Sequence, residues 1–302
     1  MKRLILFLAI ASISIVACDK VSNPIVVKNT VVGSKFVVNN NDGVAGFRKV
    51  LLEDYTGQTC PNCPTAADLI TNSLVPTYNE TLIVVAVHQG NTYAKPTLTF
   101  TNDFRTTAGE EWGKSSGFGI GFYPCGLINR SDYGTGRQIA NQAWPSIIPK
   151  AQNDPFVLQL NVRTSYDTTV RSLSVKVKGT WKKAYTGATK VLVLFTEDGI
   201  VGKQKKGSVD IEEYEFEHML RGSLNGDWGA SFSSSAAAVG DSIIYNLNDI
   251  GIPDNFKGVS GAGNSAVNDK NVSIVVFVYD EQTKVVLQAE KLRLRPAKTT
   301  GS

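Results

Sequence analysis

The segment from Val50 to Pro64 reads Val-Leu-Leu-Glu-Asp-Tyr-Thr-Gly-Gln-Thr-Cys-Pro-Asn-Cys-Pro. Its apolar start predicts a strand, and the apolar spacing of residues 65–78 predicts a helix after it. Cys60 and Cys63 lie at this junction, where unpaired backbone N–H groups and the helix macrodipole favour a negative charge. We therefore expect Cys60 in the first helical turn, with a thiol pKa below the ~8.5 of free cysteine.

The spacing of the two cysteines predicts a redox-active pair. Cys63 follows one turn later and is expected to be the more buried thiol, able to attack a mixed disulfide formed on Cys60. Pro61 suits the first helical turn, because its missing N–H is no loss there. Two alternatives remain open, an inert disulfide and half of a metal site, although the chain has no second C-x-x-C.

Asp54 is the candidate acid, six residues before Cys60 in the predicted strand. If it is buried there, its pKa is raised and it can take the proton from Cys63 when that thiol attacks. Glu53 is the rival candidate and points to the opposite face of the strand. An ordinary solvated acid at a strand end is the alternative interpretation.

Three more residues are expected near the pair. The Tyr123-Pro124 bond is a candidate cis peptide that would offer its backbone to an extended substrate, the alternative being a trans proline. Cys125 is a third thiol, a metal ligand or a small buried hydrophobe. His88 ends an apolar strand, where it could lower a thiol pKa or join the cysteines around a soft metal such as Cu(I). A structural histidine is the alternative.

The N-terminal residues indicate export. Positive charges at Lys2 and Arg3 precede an apolar run over residues 4–16, which is too short to cross a ~30 Å hydrocarbon core. Residues 1–17 are predicted to be a signal peptide ending in a bacterial lipobox, so we expect Cys18 to be acylated, for example with palmitate, and anchored to a membrane. Disulfides persist in such an extracytoplasmic compartment.

The remaining pattern predicts an α/β domain followed by a β domain, and a length of 302 residues agrees with two domains. We expect a tether over residues 18–42, able to add an edge strand, and strand–helix alternation over 43–154. Period-two alternation predicts an immunoglobulin-like β-sandwich over 155–298, with a tail at 299–302. The charge of +4 is spread along the chain, which argues against a nucleic-acid partner.

A strand leading into C-x-x-C, an acid six positions earlier and a later proline resemble the thioredoxin fold. Residues 50–64 are also similar to the outer-membrane-protein-28-related lipoproteins of Gram-negative bacteria. Further motifs of that family are Phe118-Gly119-Ile120, Tyr123-Pro124, Ile128-Asn129-Arg130 and Leu220-Arg221-Gly222-Ser223-Leu224-Asn225-Gly226.

The resemblance implies a lipid-anchored protein of the outer membrane with a thioredoxin-like domain. Carried over, Cys60 is the nucleophile, Cys63 the resolving thiol, Asp54 the acid and Pro124 the cis proline. The chain departs from the pattern at two positions, with Cys125 where threonine is usual after the proline, and with a threonine where thioredoxins commonly carry an aromatic residue before the first thiol.

The sequence thus favours a thiol–disulfide oxidoreductase or isomerase that needs no cofactor. Its expected partners are exported proteins with thiols or disulfides, an unidentified redox partner, and the membrane through the lipid on Cys18. One alternative is a surface binding module with contact residues Trp181, Trp228 and Phe232. The other is a copper-handling protein that uses the three thiols.

Overall fold

The computed structural model describes residues 36–41, 46–261 and 264–295. The predicted signal peptide, the lipidation site at Cys18 and the C-terminal tail lie outside these residues. Within the described ranges, no helix combines the length and the apolar character that a membrane crossing requires.

The first half of the described chain alternates strands and helices, as expected. Its strands are β1 (Phe36–Asn40), β2 (Val50–Thr56), β3 (Leu82–His88), β4 (Cys125–Ile128) and β5 (Gln138–Ala140). Its helices are α1 (Cys63–Leu69), continued by a π-helical turn (Ile70–Leu74) into α2 (Val75–Tyr78), then α3 (Thr107–Gly113) and α4 (Trp144–Gln152). Short 3₁₀ turns span Asn79–Thr81 and Asn141–Ala143.

The second half is built from strands. They are β6 (Leu158–Asp167), β7 (Ser172–Trp181), β8 (Thr189–Glu197), β9 (Ile200–Lys206), β10 (Val209–Phe216), β11 (Met219–Ser223), β12 (Ala230–Ser233), β13 (Ser242–Gly251), β14 (Asn255–Lys257), β15 (Asn264–Ala266), β16 (Val272–Asp280) and β17 (Val286–Arg293). The mixed α/β plus β composition agrees with the predicted fold class.

One large sheet joins the two halves, in the order β17-β16-β8-β11-β3-β2-β4-β5, with β12 beside β8. β2 and β3 are parallel, whereas β4 runs antiparallel to β2. β11, from the second half, pairs with the side of β3 that would otherwise be an open edge. Strands from both sides of the boundary predicted between residues 154 and 155 share this sheet. The division into two domains at that point stays a prediction.

Helices cover both faces of the β2–β3–β4 part of the sheet. Ala66 and Ile70 share one apolar cluster with Trp144 and Ile148 of α4, while Trp112 of α3 belongs to the cluster on the other face. The sequence analysis did not predict α4, which carries prolines at its start and in its interior. The interior proline, Pro149, depresses helix propensity, and the burial of one apolar side of α4 overrides it.

A second sheet, of order β1-β6-β7-β13, covers the other end of the large sheet. Alternate residues of β6 and β7 point inward, and they pack against side chains of β8 and β16 such as Val193 and Val276. β1 is an antiparallel edge strand beside β6, so the tether does contribute the strand that its valines suggested.

Candidate functional site

Cys60 and Cys63 form a disulfide, with their Cα atoms 5.5 Å apart. The chain reaches them through a turn after β2, in which the N–H of Cys60 donates a 3.0 Å hydrogen bond to the carbonyl of Gly57. A side chain does not fit at position 57, because a Cβ there would lie 2.5 Å from the backbone of Tyr93.

Our prediction that Cys60 occupies the first helical turn is wrong. The helix begins at Cys63, with Asn62 as the N-cap and Pro64 in the first turn. The amide of Cys60 already bonds back into the preceding turn, and Pro64 fits the first helical turn because it has no N–H to satisfy. Cys60 therefore lies three residues before the helix.

A hairpin that the sequence analysis did not predict, formed by β9 and β10, covers the disulfide. Four hydrogen bonds tie β9 and its turn to the cysteine loop, residues 57–62. Gln204 Nε2 donates to the carbonyls of Cys60 (3.1 Å) and Gly57 (3.4 Å), Lys205 N–H to the Gln58 carbonyl (2.9 Å), and Gly207 N–H to the Pro61 carbonyl (2.9 Å). Cys60 is consequently only 1 % exposed and Cys63 2 % exposed. The two cysteines are equally buried, whereas we expected Cys63 to be the more buried of the two. This hairpin was difficult to predict because the polar residues of Ile200–Lys206 are typical of an exposed segment, whereas here Gln204 donates hydrogen bonds to the cysteine loop.

Asp54 is buried at the end of β2, as expected for the candidate acid. Its Oδ1 accepts no hydrogen bond from the described residues, and burial raises the pKa of Asp54 to about 7. Asp54 and Cys63 both line a cavity of about 350 Å³ between α1 and the hairpin, as do His88 and Tyr214.

Glu53 has a structural role. Arg130 donates hydrogen bonds of 2.6 and 2.7 Å to its two carboxylate oxygens, and both side chains are fully buried. The guanidinium also lies about 5 Å from the ring centroids of Trp112, Phe118 and Phe277. Of the two adjacent acids, Asp54 is therefore the one with a carboxyl available for proton transfer.

Replacing Asp54 with asparagine should change how folding stability depends on pH. The folded-state pKa of about 7 lies above the ordinary 3.8, so folded protein keeps a proton that unfolded chain releases between those values. The wild type should therefore lose roughly 4 kcal/mol of stability as pH rises through this window. Asp54→Asn should lack that decline, which urea unfolding of both proteins from pH 4 to pH 8 would measure. If the stability of the two proteins depended on pH in the same way, the pKa of Asp54 would not be raised in the folded protein.

The Tyr123–Pro124 peptide bond is cis, as predicted. It borders a groove of about 290 Å³ on the outside of the cysteine loop, lined also by Asn62, Thr65 and the partly exposed Phe122. The Tyr123 hydroxyl donates to Gln89. A shallow groove thus lies beside the buried disulfide, on the same loop.

Cys125 and His88 are both buried. Burial, followed by the charge of Asp54, raises the pKa of the Cys125 thiol to about 12, which favours the interpretation as a small buried hydrophobe. Burial and the charge of Arg221 lower the pKa of His88 to about 3. A neutral imidazole supplies no positive charge to a thiolate, so His88 does not activate a cysteine electrostatically at neutral pH.

The described residues place three potential ligand atoms close together at Asp198, Glu217 and His218, within 4.8 Å of one another. Among the described residues, the cysteines and His88 do not form such a group. The Nδ1 atom of His218 lies 3.1 Å from Asp198 Oδ1. Arg293 approaches the same carboxylate at 3.9 Å, and the cation of Lys291 also acts on it.

The aromatic residues suggested for a binding surface are mostly interior. Trp181 and Phe232 belong to the core between the two sheets. Trp228 is half-buried and lies 5.9 Å from the Arg130 guanidinium. Trp181 and Phe232 therefore stabilise the core, whereas Trp228 keeps part of its surface exposed.

Comparisons with known proteins identify the family of this chain. The model for outer membrane protein Omp28 matches residues 114–298. HBP35 of Porphyromonas gingivalis shares the fold, with a TM-score of 0.57 and 16 % identity over 85 % of this chain and 80 % of that one. A crystal structure of a domain of the outer membrane lipoprotein Omp28 from the same organism has 25 % identity and a TM-score of 0.29, covering 46 % of this chain and 88 % of that one. A search of curated proteins found no match.

The family match extends from the segment before the cis proline through the second half of the chain, which is more than half of its length. The protein is accordingly lipid-anchored at the outer membrane, outside the cytoplasm, as the sequence predicted. The chain belongs to the family of outer membrane protein Omp28.

Proposed function

We propose that this protein is a thiol–disulfide oxidoreductase or isomerase that acts on exported proteins through Cys60 and Cys63. The observation that carries the proposal is Asp54, a buried carboxyl with an unpartnered oxygen and a pKa of about 7, on the wall of a cavity shared with Cys63. Burying an unpaired polar atom costs folding free energy. An inert disulfide needs no such group, whereas proton transfer to and from a thiol does.

The arrangement of the first half supports the same proposal. Four strands in the order β3-β2-β4-β5 have helices on both faces, the C-x-x-C follows β2, and the cis proline precedes β4. This arrangement resembles a thioredoxin-like domain. The two packed sheets of the second half resemble an immunoglobulin-like sandwich.

The proposed exchange takes place between the two cysteines of the protein and a substrate disulfide. In the reduced protein, the Cys60 thiol first loses its proton to solvent; the resulting thiolate then attacks a substrate disulfide, and one substrate sulfur leaves as a thiolate. Cys63 then gives its proton to the Asp54 carboxylate and attacks Cys60, which restores the Cys60–Cys63 bond and releases the second substrate sulfur. Two electrons pass from the dithiol to the substrate, and the reverse sequence oxidises substrate thiols. An external dithiol or disulfide partner returns the pair to its starting state.

Access to Cys60 requires the β9–β10 hairpin to move. Its hydrogen bonds to the cysteine loop contribute about 1 kcal/mol each, and Lys206 adds an ion pair with Asp68 of α1. We expect the hairpin to open locally, with the large sheet still folded. The groove beside the cis proline would then continue to the sulfur. Exchange in this protein is therefore gated by the hairpin.

The test is reduction of insulin disulfides by dithiothreitol, with the wild-type chain at catalytic concentration. We expect precipitation of the insulin B chain to begin sooner and to proceed faster than in the protein-free reaction. A second assay, recovery of activity by a scrambled disulfide-containing enzyme, detects an isomerase. Rates equal to the protein-free background in both assays would overturn the proposal and leave an inert disulfide.

A further inference from the structure

The outer face of the β1-β6-β7-β13 sheet carries cations. Lys176 and Lys178 of β7 alternate with buried residues and point away from the core. Lys176 pairs in register with Arg163 of β6, and Lys178 with Asn161. These four side chains line a shallow depression of about 350 Å³. The two lysines form no ion pair with any residue that the structure describes, so their charges face solvent.

Exposed apolar side chains flank these cations on the same face. On β1, Phe36 is 62 % exposed and Val38 is 56 % exposed. They pair with Asp167 and Ser165, two outward-facing residues of β6. On the opposite side, Ile244 of β13 is 49 % exposed and lies directly across from Lys178. Cations bordered by an aromatic ring and branched aliphatic side chains are typical of surfaces that lie on a bilayer interface.

The predicted lipid anchor keeps this sheet close to a membrane. The protein is lipid-anchored, and the predicted anchor, Cys18, precedes β1 by eighteen residues. Such a segment reaches about 60 Å when extended, so it holds the sheet at a high effective concentration above the lipid surface. Even a weak attraction between the lysines and lipid phosphates is then sufficient to orient the protein.

We propose that this face docks on the anionic phospholipid surface of the membrane that holds the anchor, with Lys176 and Lys178 at the headgroup phosphates and Phe36, Val38 and Ile244 in the interface. The docking does not depend on the redox proposal. It fixes the orientation of the large sheet, and with it the direction in which the cysteine loop faces.

The test is lysine footprinting of the acylated wild-type protein reconstituted in vesicles. We expect acetylation of Lys176 and Lys178 to be about fivefold slower in phosphatidylglycerol vesicles than in phosphatidylcholine vesicles. The exposed Lys95 and Lys150 are matched controls whose rates should not change. Equal rates at Lys176 and Lys178 in both kinds of vesicle would overturn the proposal.

Two further experiments distinguish a membrane surface from other ligands of this face. Inorganic phosphate added to phosphatidylcholine vesicles should give no protection, and protection there would indicate a soluble-anion site in place of a membrane surface. A fluorophore on Ile244→Cys should shift to the blue on phosphatidylglycerol vesicles and lose that shift when Lys176→Glu and Lys178→Glu are added. Protection that instead rises with protein concentration in detergent would assign the face to a second copy of the chain and refute docking.

Discussion

Cys60→Ser should reduce insulin-reductase activity to the protein-free background. The serine hydroxyl does not ionise at neutral pH and forms no bond with a substrate sulfur, so the first exchange step is lost. The substitution replaces one buried side chain by a similar one, and the hydrogen bonds of the loop use the Cys60 backbone. The hairpin and the turn should therefore persist.

Cys125→Ser is the matched control, because it changes a buried thiol that lies outside the disulfide. We expect Cys125→Ser to retain wild-type exchange rates after correction for the folded fraction. If Cys60→Ser kept activity while Cys125→Ser lost it, Cys125 would be the reacting thiol. Loss of activity in both variants, with both folded by circular dichroism, would show that Cys125 also takes part in the exchange and would contradict its use as a control.

Glu53→Gln should destabilise the protein by about 3–5 kcal/mol, because it leaves the fully buried guanidinium of Arg130 without a counter-charge. The surrounding aromatic rings attract a cation but do not replace the two hydrogen bonds that a carboxylate accepts. Urea unfolding followed by tryptophan fluorescence would measure the free energy of unfolding.

The control for this pair is the double variant Glu53→Met with Arg130→Met. Removing both charges leaves no uncompensated ion, so the double variant should be more stable than Glu53→Gln alone. Arg130→Met by itself should also lose several kcal/mol, since it leaves Glu53 buried and unpaired. Additive losses in the double variant would mean that the two residues do not interact energetically.

Local patterns predicted the elements around the site well. The apolar run of β3, the strand before the cysteines and the cis proline all depend on short-range preferences, and the structure agrees with each. Burial of Asp54 could also be predicted, since it lies at the end of a strand that is covered on both faces. The local pattern could not show which of Asp54 and Glu53 is available for proton transfer. That depends on Arg130, which lies 77 positions from Glu53 along the chain and binds its carboxylate.

The hairpin could not be predicted for a related reason. β9 contains the polar and charged residues of a solvated segment, and the burial of Gln204 depends on hydrogen bonds to the cysteine loop, more than 140 positions away. Cys60 was wrongly placed in the first helical turn because the pattern does not show that its amide is already bonded in the preceding turn. Both errors concern long-range or backbone contacts that apolar periodicity does not record.

The central claim, that Cys60 exchanges with protein thiols in the folded state, is tested most directly by trapping a mixed disulfide. Cys63→Ser leaves Cys60 without its resolving partner, so incubation of this folded variant with a protein that carries an accessible disulfide should yield a covalent adduct. Peptide mapping should locate the adduct at Cys60, and hairpin opening should set its rate of formation. An adduct that forms only after urea unfolds the variant, or only through Cys125, would contradict the account.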